Sequence, residues 1–550
     1  MASLLPISGT LGHRRAAHLL RRASFRYTKD AVDQLAALTA EQALDILLAP
    51  HNPQMDQPLY DNPNSKTVEN IPWLLPTNLP LPDGQPALRR YVAGWWLHEA
   101  LYDTGITHKM ALFFHQFMAV SILAYGNQQY FDYLRLLQWG AMGNFKKLAT
   151  KIVTDNSMLL YLNNHDNLKS NPNENFAREF FELFTIGKGP QLGPGDYTHY
   201  TEDDIALAAR VFTGFRARGF RDQYDPETGI PRGRTVISEH DTSDKVFSDK
   251  FQHTKIAGAK TAEGMWSELD ALVNMVFAQE ATALTFCRRL YRWFVGKNIT
   301  PEIEADIIAP LAATLRTGNY EIKPVLTKLL QSQHFFDADN PVSPDGRIGN
   351  MIKSPLDTAL QVISFFDIPT SSPVGDPRQL YYLEMSIGVG DGILLDSGFP
   401  LFSPADVAGY PAYYQEPIFS RQWFSSNMVI PRYKLPAKLL SGRMSYGPNA
   451  DAPLYLLLDA AAWVKNSNVF SDPLDPYALV RDLLIYLFPE PIDESRFNYF
   501  YQDVFLNHLP PGDWTYEWQH FLDTGDDTEV SIPLAKLVHA ILYAPEFQTF

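Results

Sequence analysis

The chain has 550 residues, enough for several cores' worth of burial, and 45% hydrophobic with 20% charged residues is ordinary for a globular protein. Its formal charge of −16, from 46 basic and 62 acidic residues, argues against nucleic acid or an anionic membrane surface as a partner, because both select basic patches. The single cysteine, Cys287, excludes an intrachain disulfide and a cysteine-based metal cluster, and its apolar helical pattern predicts a buried structural thiol.

The first residues lack the basic and then apolar pattern of an export signal, and no apolar run approaches the roughly 18 residues that a membrane span needs. We therefore expect a protein that is not integral to a membrane. It would stay in the cytoplasm by default, or leave by a route that this N-terminus does not display.

The N-terminal part of the chain is predicted to be helical at residues 13–23 and 29–48, with a break inside the second segment at Ala37-Leu-Thr-Ala-Glu-Gln42. A Pro-rich connector at 51–86 carries no sustained period and reads as an extended arm on the surface. Aromatic helices follow, and His115 lies on one of them. A histidine on so apolar a helix is more often a core residue than a ligand, and both interpretations stay open here.

The densest chemistry lies between Asn171-Pro172, a turn signal, and Gly187, a favourable C-terminal stop for a helix that Asn173 can cap. At about 100° per residue, the ionised side chains share an arc of roughly 140°, and phenylalanines occupy the opposite arc. The members of this polar arc are Glu174, Arg178, Glu179 and Glu182.

Two interpretations of this helix compete. Glu and Arg four residues apart are typical of a solvated surface face. Alternatively the face lines a cleft between helices, because Phe181 lies on the polar side and the polar residues are short Asn and Glu rather than Lys. Carboxylates held together in a cleft would need a cation, a proton or Arg178.

Beyond residue 215 the helical period fails, and alternation at 216–222 and 234–238 around Asp225-Pro-Glu-Thr-Gly229 predicts a β-hairpin. The hairpin leads into His240-Asp241, which could supply a metal ligand or an oriented base, although two polar loop residues are unremarkable. Most of the remaining chain is again predicted to be helical, with a loop rich in Gly, Pro and aromatic residues at about 388–417.

These patterns predict a mainly α, multi-helical globular protein with one small β-hairpin insertion. We expect an N-terminal helical segment, the Pro-rich connector, a central helical core with the Glu/Arg helix, the hairpin insertion, a second helical region with the long aromatic loop, and a C-terminal helical region. Their boundaries are 1–50, 51–86, 87–214, 215–255, 256–440 and 441–550.

Several motifs follow one another in order along nearly the whole chain. Besides residues 197–214, His240-Asp241, 400–404 and 544–548, these motifs are His18-Leu-Leu-Arg-Arg-Ala-Ser-Phe25, Lys109-Met-Ala-Leu-Phe-Phe-His115, Pro172-Asn-Glu-Asn-Phe-Ala-Arg-Glu179, Glu182-Leu-Phe-Thr185, Leu290-Tyr-Arg-Trp-Phe-Val295, Lys353-Ser-Pro-Leu356 and Asp406-Val-Ala-Gly-Tyr-Pro411. In these motifs the chain resembles one bacterial family, the domain-of-unknown-function 1800 family.

The resemblance implies a mostly helical protein without an established activity, often encoded beside a protein related to sulfatases and alkaline phosphatases. That neighbour is a candidate partner. The sequence departs from the family pattern at Phe117, where the pattern has a second histidine two residues after the first, so a His-x-His metal pair is excluded. Insertions relative to typical members lie before Tyr197 and around residues 368–385.

Two functions are consistent with these observations. The first is a helical scaffold or partner-binding protein that works with the sulfatase- or phosphatase-like partner. The second is a metal-dependent hydrolase, for which glycans are one substrate class because aromatic side chains can stack on sugars. Its catalytic residues would be Glu179, Glu182 and Arg178, and the ligands of its divalent metal would be His115, Glu174, His240 and Asp241.

Overall fold

A computed structural model describes residues 2–62, 70–72, 74, 85–123, 126–339, 346–370, 372–388, 393–441, 445–446, 454–455 and 457–550. The expected mainly α fold is confirmed, since 57% of the chain is helical. Much of the predicted Pro-rich connector, residues 63–69, 73 and 75–84, lies outside the described residues.

The helices of the first half of the chain are α1 Gly12–Ala23, α2 Lys29–Ala36, α3 Ala40–Leu47, α4 Gln85–Tyr102, α5 Thr107–Phe117, α6 Asn127–Gly140, α7 Phe145–Val153, α8 Asn156–Tyr161, α9 Glu174–Glu179, α10 Glu202–Val211, α11 Ala262–Ala278 and α12 Glu280–Phe294.

The helices of the second half are α13 Pro301–Ile303, α14 Ala309–Thr317, α15 Ile322–Leu330, α16 Pro355–Phe365, α17 Arg378–Ile387, α18 Ile393–Asp396, α19 Pro411–Tyr414, α20 Ser426–Ser441, α21 Ala460–Asn466, α22 Pro476–Leu487, α23 Glu494–Asn498, α24 Pro511–Thr524 and α25 Thr528–Tyr543. Wider π-helical turns occupy Phe180–Phe184, Glu304–Ile308 and Tyr499–Phe505.

Strands in the described residues form five antiparallel two-stranded pairs. The predicted hairpin is confirmed, although its paired strands are shorter than the alternation suggested. Phe215 and Arg216 pair with Thr235 and Arg234, and nearer the turn a single bridge joins Tyr224 to Pro231. The pairs are β1 Leu59–Tyr60 with β2 Ile71–Pro72, β3 Gln191–Gly193 with β4 Asp196–Tyr197, β5 Phe215–Arg216 with β6 Arg234–Thr235, β7 Lys245–Val246 with β8 Lys255–Ile256, and β9 Ser445–Tyr446 with β10 Leu454–Tyr455.

The break predicted in the second N-terminal helix falls between α2 and α3. Thr39 caps α3 by accepting a hydrogen bond from the Gln42 N–H, and the Gln42 side chain accepts from the Thr39 N–H in return. This reciprocal capping box satisfies two backbone donors and stabilises a new helix start. A new helix therefore begins here, because starting a capped helix at Thr39 is more favourable than continuing the first helix.

One hydrophobic cluster of buried residues runs through the described structure from Leu11 to Phe547. Part of this packing is unusually close, since a Cβ at Gly94 of α4 would lie 1.9 Å from the Leu380 carbonyl oxygen of α17. Only glycine fits there. The six predicted regions thus contribute to a shared core, and their boundaries stay a prediction. Among the described residues, no helix combines the length and the apolar character needed to cross a bilayer.

Candidate functional site

The predicted Glu/Arg helix is present as α9, and Asn173 caps it by accepting a hydrogen bond from the Asn175 N–H. After Glu179 the backbone widens into the π turn Phe180–Phe184. Such a turn takes one extra residue and rotates the side chains that follow. Phe181, expected on the polar side, is buried, with its ring 5.7 Å from that of Tyr200 and 5.8 Å from that of Phe251.

The ionised residues of this helix differ in their surroundings. Arg178 donates hydrogen bonds of 2.8 and 2.6 Å to the two carboxylate oxygens of Glu202 on α10, and it also pairs with the exposed Glu174 at 3.3 Å. Glu182 accepts a hydrogen bond of 3.3 Å from Tyr200 and lies 3.5 Å from the Lys188 ammonium. Arg178 is therefore neutralised by a bidentate carboxylate partner within the protein.

Glu179 is the member of this group with the most perturbed acidity. Burial, reinforced by repulsion from the Glu182 and Asp406 carboxylates, raises the pKa of Glu179 to about 7. A carboxyl group that titrates near neutral pH can both give and take a proton, as a general acid or base requires.

His115 is buried on α5, and its Nε2 lies 3.2 Å from the Val120 carbonyl oxygen and 3.0 Å from the Tyr130 hydroxyl. Burial lowers the pKa of His115 to about 3. The imidazole is therefore neutral at physiological pH, in agreement with the interpretation of a core histidine, although its Nδ1 has no hydrogen-bond partner within the described structure.

His240 and Asp241 lie where the hairpin region packs on α10 and α11. His240 Nδ1 is 2.8 Å from the Thr213 carbonyl oxygen, and Nε2 is 2.9 Å from Glu268. Asp241 accepts a 2.6 Å hydrogen bond from Arg210. Both imidazole nitrogens of His240 are thus engaged by the protein itself.

Within the described structure these hydrogen bonds place His115, Glu174 and the His240-Asp241 pair in three separate networks, and Thr213 contacts both members of that pair. Binding one metal ion with His115, Glu174, His240 and Asp241 would require several of these bonds to be replaced. That divalent metal site stays a prediction.

Another trio brings ligand-type atoms within 4.8 Å of one another: His51, Asp103 and His108. Asp103 Oδ2 accepts from the backbone N–H and the Nδ1 of His108 at 2.9 and 2.7 Å, and Oδ1 accepts from the Gly105 N–H at 2.8 Å and lies 3.5 Å from His51 Nδ1. His51 Nε2 is 2.9 Å from Glu99, which also accepts from the backbone N–H groups of Gln54 and Met55.

The oxygen atoms of Asp103 and Glu99 therefore already have donors. Burial alone would lower the pKa of His51, but its hydrogen bonds to Asp103 and Glu99 outweigh this and raise the pKa to about 9. A metal ion bound by His51 would have to displace this proton. We call this group, His51, Glu99, Asp103 and His108, the connector clasp, because it fastens the start of the Pro-rich connector to α4 and α5.

The feature with the strongest binding character is a cavity of about 260 Å³ beside the Glu/Arg helix. One face of α12 supplies Thr285, Arg288, Arg289, Arg292 and Trp293, whose spacing of three and four residues puts them on a single helical stripe. Lys297 follows, and aromatic rings from α5 and α19 complete the wall. We call this space the cationic cavity.

The cations of the cationic cavity outnumber their carboxylate partners. Arg288 pairs with Glu304 at 2.6 Å and Arg292 pairs with Glu416 at 2.7 Å. Among the described residues no carboxylate pairs with Arg289 or Lys297; the Arg289 guanidinium lies over the Phe117 ring at 4.5 Å, and Lys297 donates to the Arg292 carbonyl oxygen at 3.1 Å.

This imbalance perturbs both unpaired cations. Burial and the neighbouring Arg292 lower the pKa of Arg289 to about 10, and burial with Arg22 and Arg292 lowers the pKa of Lys297 to about 7. An anion in the cavity would relieve this cost by stabilising both charged forms.

Hydrogen-bond donors that have no acceptor in the described structure also indicate a ligand in this cavity. Within the described structure, three buried donor atoms of cavity residues have no partner: Gln116 Nε2, Arg292 Nε and Trp293 Nε1. Buried donors are normally satisfied, so a group of three in one cavity indicates a ligand or water that accepts from them.

A comparison with family models matches residues 18–549 to the family described as "Protein of unknown function (DUF1800)". The chain belongs to this family. The suspected resemblance is thereby confirmed over nearly the whole chain. Searches of curated proteins and of solved structures returned no match.

Four of the segments by which the sequence resembles the DUF1800 family meet at the cationic cavity. Phe113 comes from 109–115, Leu183 from 182–185, Arg292 and Trp293 from 290–295, and Ala408 from 406–411. Gly409 allows the last segment to approach, because it has φ +91° and a Cβ there would lie 1.7 Å from the Gln116 carbonyl oxygen.

The sequence reasoning missed the basic residues of this DUF1800 cavity. The signal was present in Arg288, Arg289 and Arg292, which with Trp293 follow the helical period on one stripe. These basic residues were not predicted, because acidic residues were the expected metal ligands and proton donors.

Proposed function

We propose that this protein binds a ligand or partner through a phosphate or sulfate group held in the cationic cavity. The observation that carries the proposal is that Arg289 and Lys297 have no carboxylate partner among the described residues and lie beside donors that have no acceptor there. A tetrahedral oxyanion has several acceptor oxygens and so fits donors that approach from different sides.

The size of the cavity and the side chains of its walls restrict the class of ligand that it can bind. Its volume of about 260 Å³ is close to the lower end of small-molecule sites, roughly 300 Å³. It therefore suits an anionic group, or the anionic end of a larger molecule, more than a whole nucleotide. Phe117, Trp293 and Tyr413 offer aromatic surface to whatever carries the anion.

The sulfatase- or phosphatase-like partner implied by the family resemblance belongs to this proposal. A protein that holds a sulfate or phosphate ester and an enzyme that cleaves such esters would share ligand chemistry. In the scaffold interpretation, the cationic cavity would be the place where the protein contacts the partner or its ligand.

The test is calorimetric titration of the purified protein with sodium sulfate, sodium phosphate and phenyl phosphate at low salt. Arg289→Gln should weaken binding at least about tenfold, or ~1.4 kcal/mol, because it removes an unpaired charge. Arg316→Gln is the matched control, since Arg316 is exposed on α14 and outside the cavity. Equal binding by the two variants, or no binding of any anion by the unmodified protein, would contradict the proposal.

A hydrolase is the second candidate, favoured by Glu179. This carboxyl group has a pKa of about 7, raised in part by Asp406, and the cavity residues Leu183 and Ala408 follow Glu179 and Asp406 by four and two positions. In this proposal Glu179 is the general acid or base, with Glu182 and Arg178 beside it. We expect Glu179→Gln to abolish release of nitrophenol from aryl phosphate or sulfate esters, while Glu529→Gln, at an exposed position of α25 outside the proposed sites, retains it. Elemental analysis of the same preparation tests for the divalent metal.

A further inference from the structure

A separate cleft of about 330 Å³ lies between α1 and α22. His13, Ala17 and Arg21 face it from one stripe of α1, four residues apart. Its volume is within the range of small-molecule sites, roughly 300–1,000 Å³. The apolar part of the wall consists of Ala17, Leu484, Ile485, Phe488, Ile492 and Phe497.

Arg21 places a buried positive charge in this apolar surrounding. Its side chain is nearly inaccessible, and its Nη2 donates to the backbone carbonyl oxygens of Tyr486 and Phe488. Its Nη1 has no hydrogen-bond partner within the described structure. The guanidinium also lies 4.8 Å from the centre of the Tyr27 ring, which attracts but does not neutralise it.

The other charges at the cleft cancel in pairs. Arg14 donates from Nε to Glu490 at 3.0 Å, and Arg481 pairs with Asp482 at 2.8 Å. No carboxylate among the described residues forms an ion pair with Arg21. One positive charge therefore remains at the cleft, and buried charges are normally paired.

We propose that this cleft binds a monocarboxylate with an apolar body, such as a medium-chain fatty acid. The carboxylate accepts from Arg21 Nη1, and the chain packs against Leu484, Ile485 and Ile492. A small inorganic anion fits less well, because apolar walls do not replace its hydration. A neutral lipid or alcohol would leave Arg21 unpaired.

The entrance is formed by partly exposed side chains. Arg14 and Glu490, paired across the edge of the cleft, retain 46% and 39% side-chain exposure, and Ile485 is 47% exposed. This site is independent of the oxyanion site, since the two cavities have no lining residue in common.

The experiment titrates the full chain with sodium decanoate below its micellar concentration, and with decanol as the uncharged analogue. Ile485→Glu places a negative charge at the entrance without touching the core, and should weaken decanoate binding at least tenfold. Ile532→Glu is the matched control, because Ile532 is 59% exposed on α25 and outside the cleft. It should bind like the unmodified protein.

A second variant, Arg21→Met, should remove the preference for decanoate over decanol. Because Arg21 also bonds to two carbonyl groups, its thermal melting is checked first, and Ile485→Glu decides the question if Arg21→Met does not fold. Equal decanoate affinity in the Ile485→Glu and Ile532→Glu variants, decanol binding as tight as decanoate binding, or no decanoate binding at all would each overturn the proposal.

Discussion

Phe117 shows how a single position changes the chemistry of the site. The resemblance described in the sequence analysis implies a second histidine here, but in this chain the Phe117 ring lies 4.5 Å from the Arg289 guanidinium. An aromatic face attracts a cation without cancelling its charge, whereas a carboxylate partner would have neutralised it. Arg289 therefore keeps a charge that a ligand can use, which supports anion recognition over a metal pair.

Lys297 gives the cationic cavity a dependence on pH. Because burial and nearby arginines lower its pKa to about 7, this ammonium loses its proton as pH rises through neutrality. We expect sulfate affinity to fall about tenfold between pH 6 and pH 8, because the protonated fraction of a group with a pKa of about 7 falls about tenfold over this interval. Sulfate is the appropriate probe because its own charge does not change in this interval.

The control for this dependence is chemical. Lys297→Arg should retain binding and remove most of the pH dependence, and Lys297→Met should bind weakly at both pH values. A Lys297→Met protein that shows the same fall in affinity as the unmodified chain would assign the effect to another group.

At the scale of elements, the connector clasp makes the attachment of the Pro-rich connector depend on one protonated histidine. The pKa of His51 is raised from 6.5 to about 9 in the folded protein, so its contribution to stability is complete below about pH 6.5 and is lost as pH rises through about 9. The contribution is on the order of 3 kcal/mol, since each pKa unit corresponds to about 1.4 kcal/mol.

Urea unfolding of the unmodified chain and of His51→Gln measures this contribution. The difference in unfolding free energy between the two proteins should be large at pH 6 and should shrink at pH 9.5. A difference that stays constant over this interval would show that His51 contributes through packing and not through its charge.

Local signals predicted the elements well where the cause is local. Thr39 with Gln42 and Asn173 begin helices as their side chains dictate. The π turn after Glu179 was not predictable, because neighbours distant in sequence, Tyr200 and Phe251, bury Phe181 and hold that turn. The short paired strands have the same origin, since alternation cannot show how many residues a neighbouring strand will meet.

The candidate site illustrates the same limit. Composition and spacing identified the Glu/Arg helix, and the raised pKa of Glu179 agrees with a special environment there. The partners of the ionised groups could not be foreseen, because Arg178 meets Glu202 and Arg292 meets Glu416, 24 and 124 positions away. Because the sequence does not reveal these ion pairs, it also does not reveal that Arg289 and Lys297 have no carboxylate partner among the described residues.

At the scale of the whole molecule, the continuous core predicts cooperative unfolding. Because one hydrophobic cluster includes residues from Leu11 to Phe547, the regions separated in the sequence analysis should not melt independently. Tryptophan fluorescence and far-ultraviolet circular dichroism should therefore give coincident urea midpoints. Two separated transitions would instead identify at least one of the predicted regions as an autonomous domain.

The packing of α1 also has a consequence for folding during synthesis on the ribosome. Arg21 bonds to the carbonyl group of Tyr486, 465 residues further along the chain. At a synthesis rate of roughly 5–20 residues per second, the ribosome needs on the order of 20–90 s to make that segment. During this interval the carbonyl groups of Tyr486 and Phe488 do not yet exist, so the Arg21 guanidinium lacks the two acceptors that it has in the folded protein.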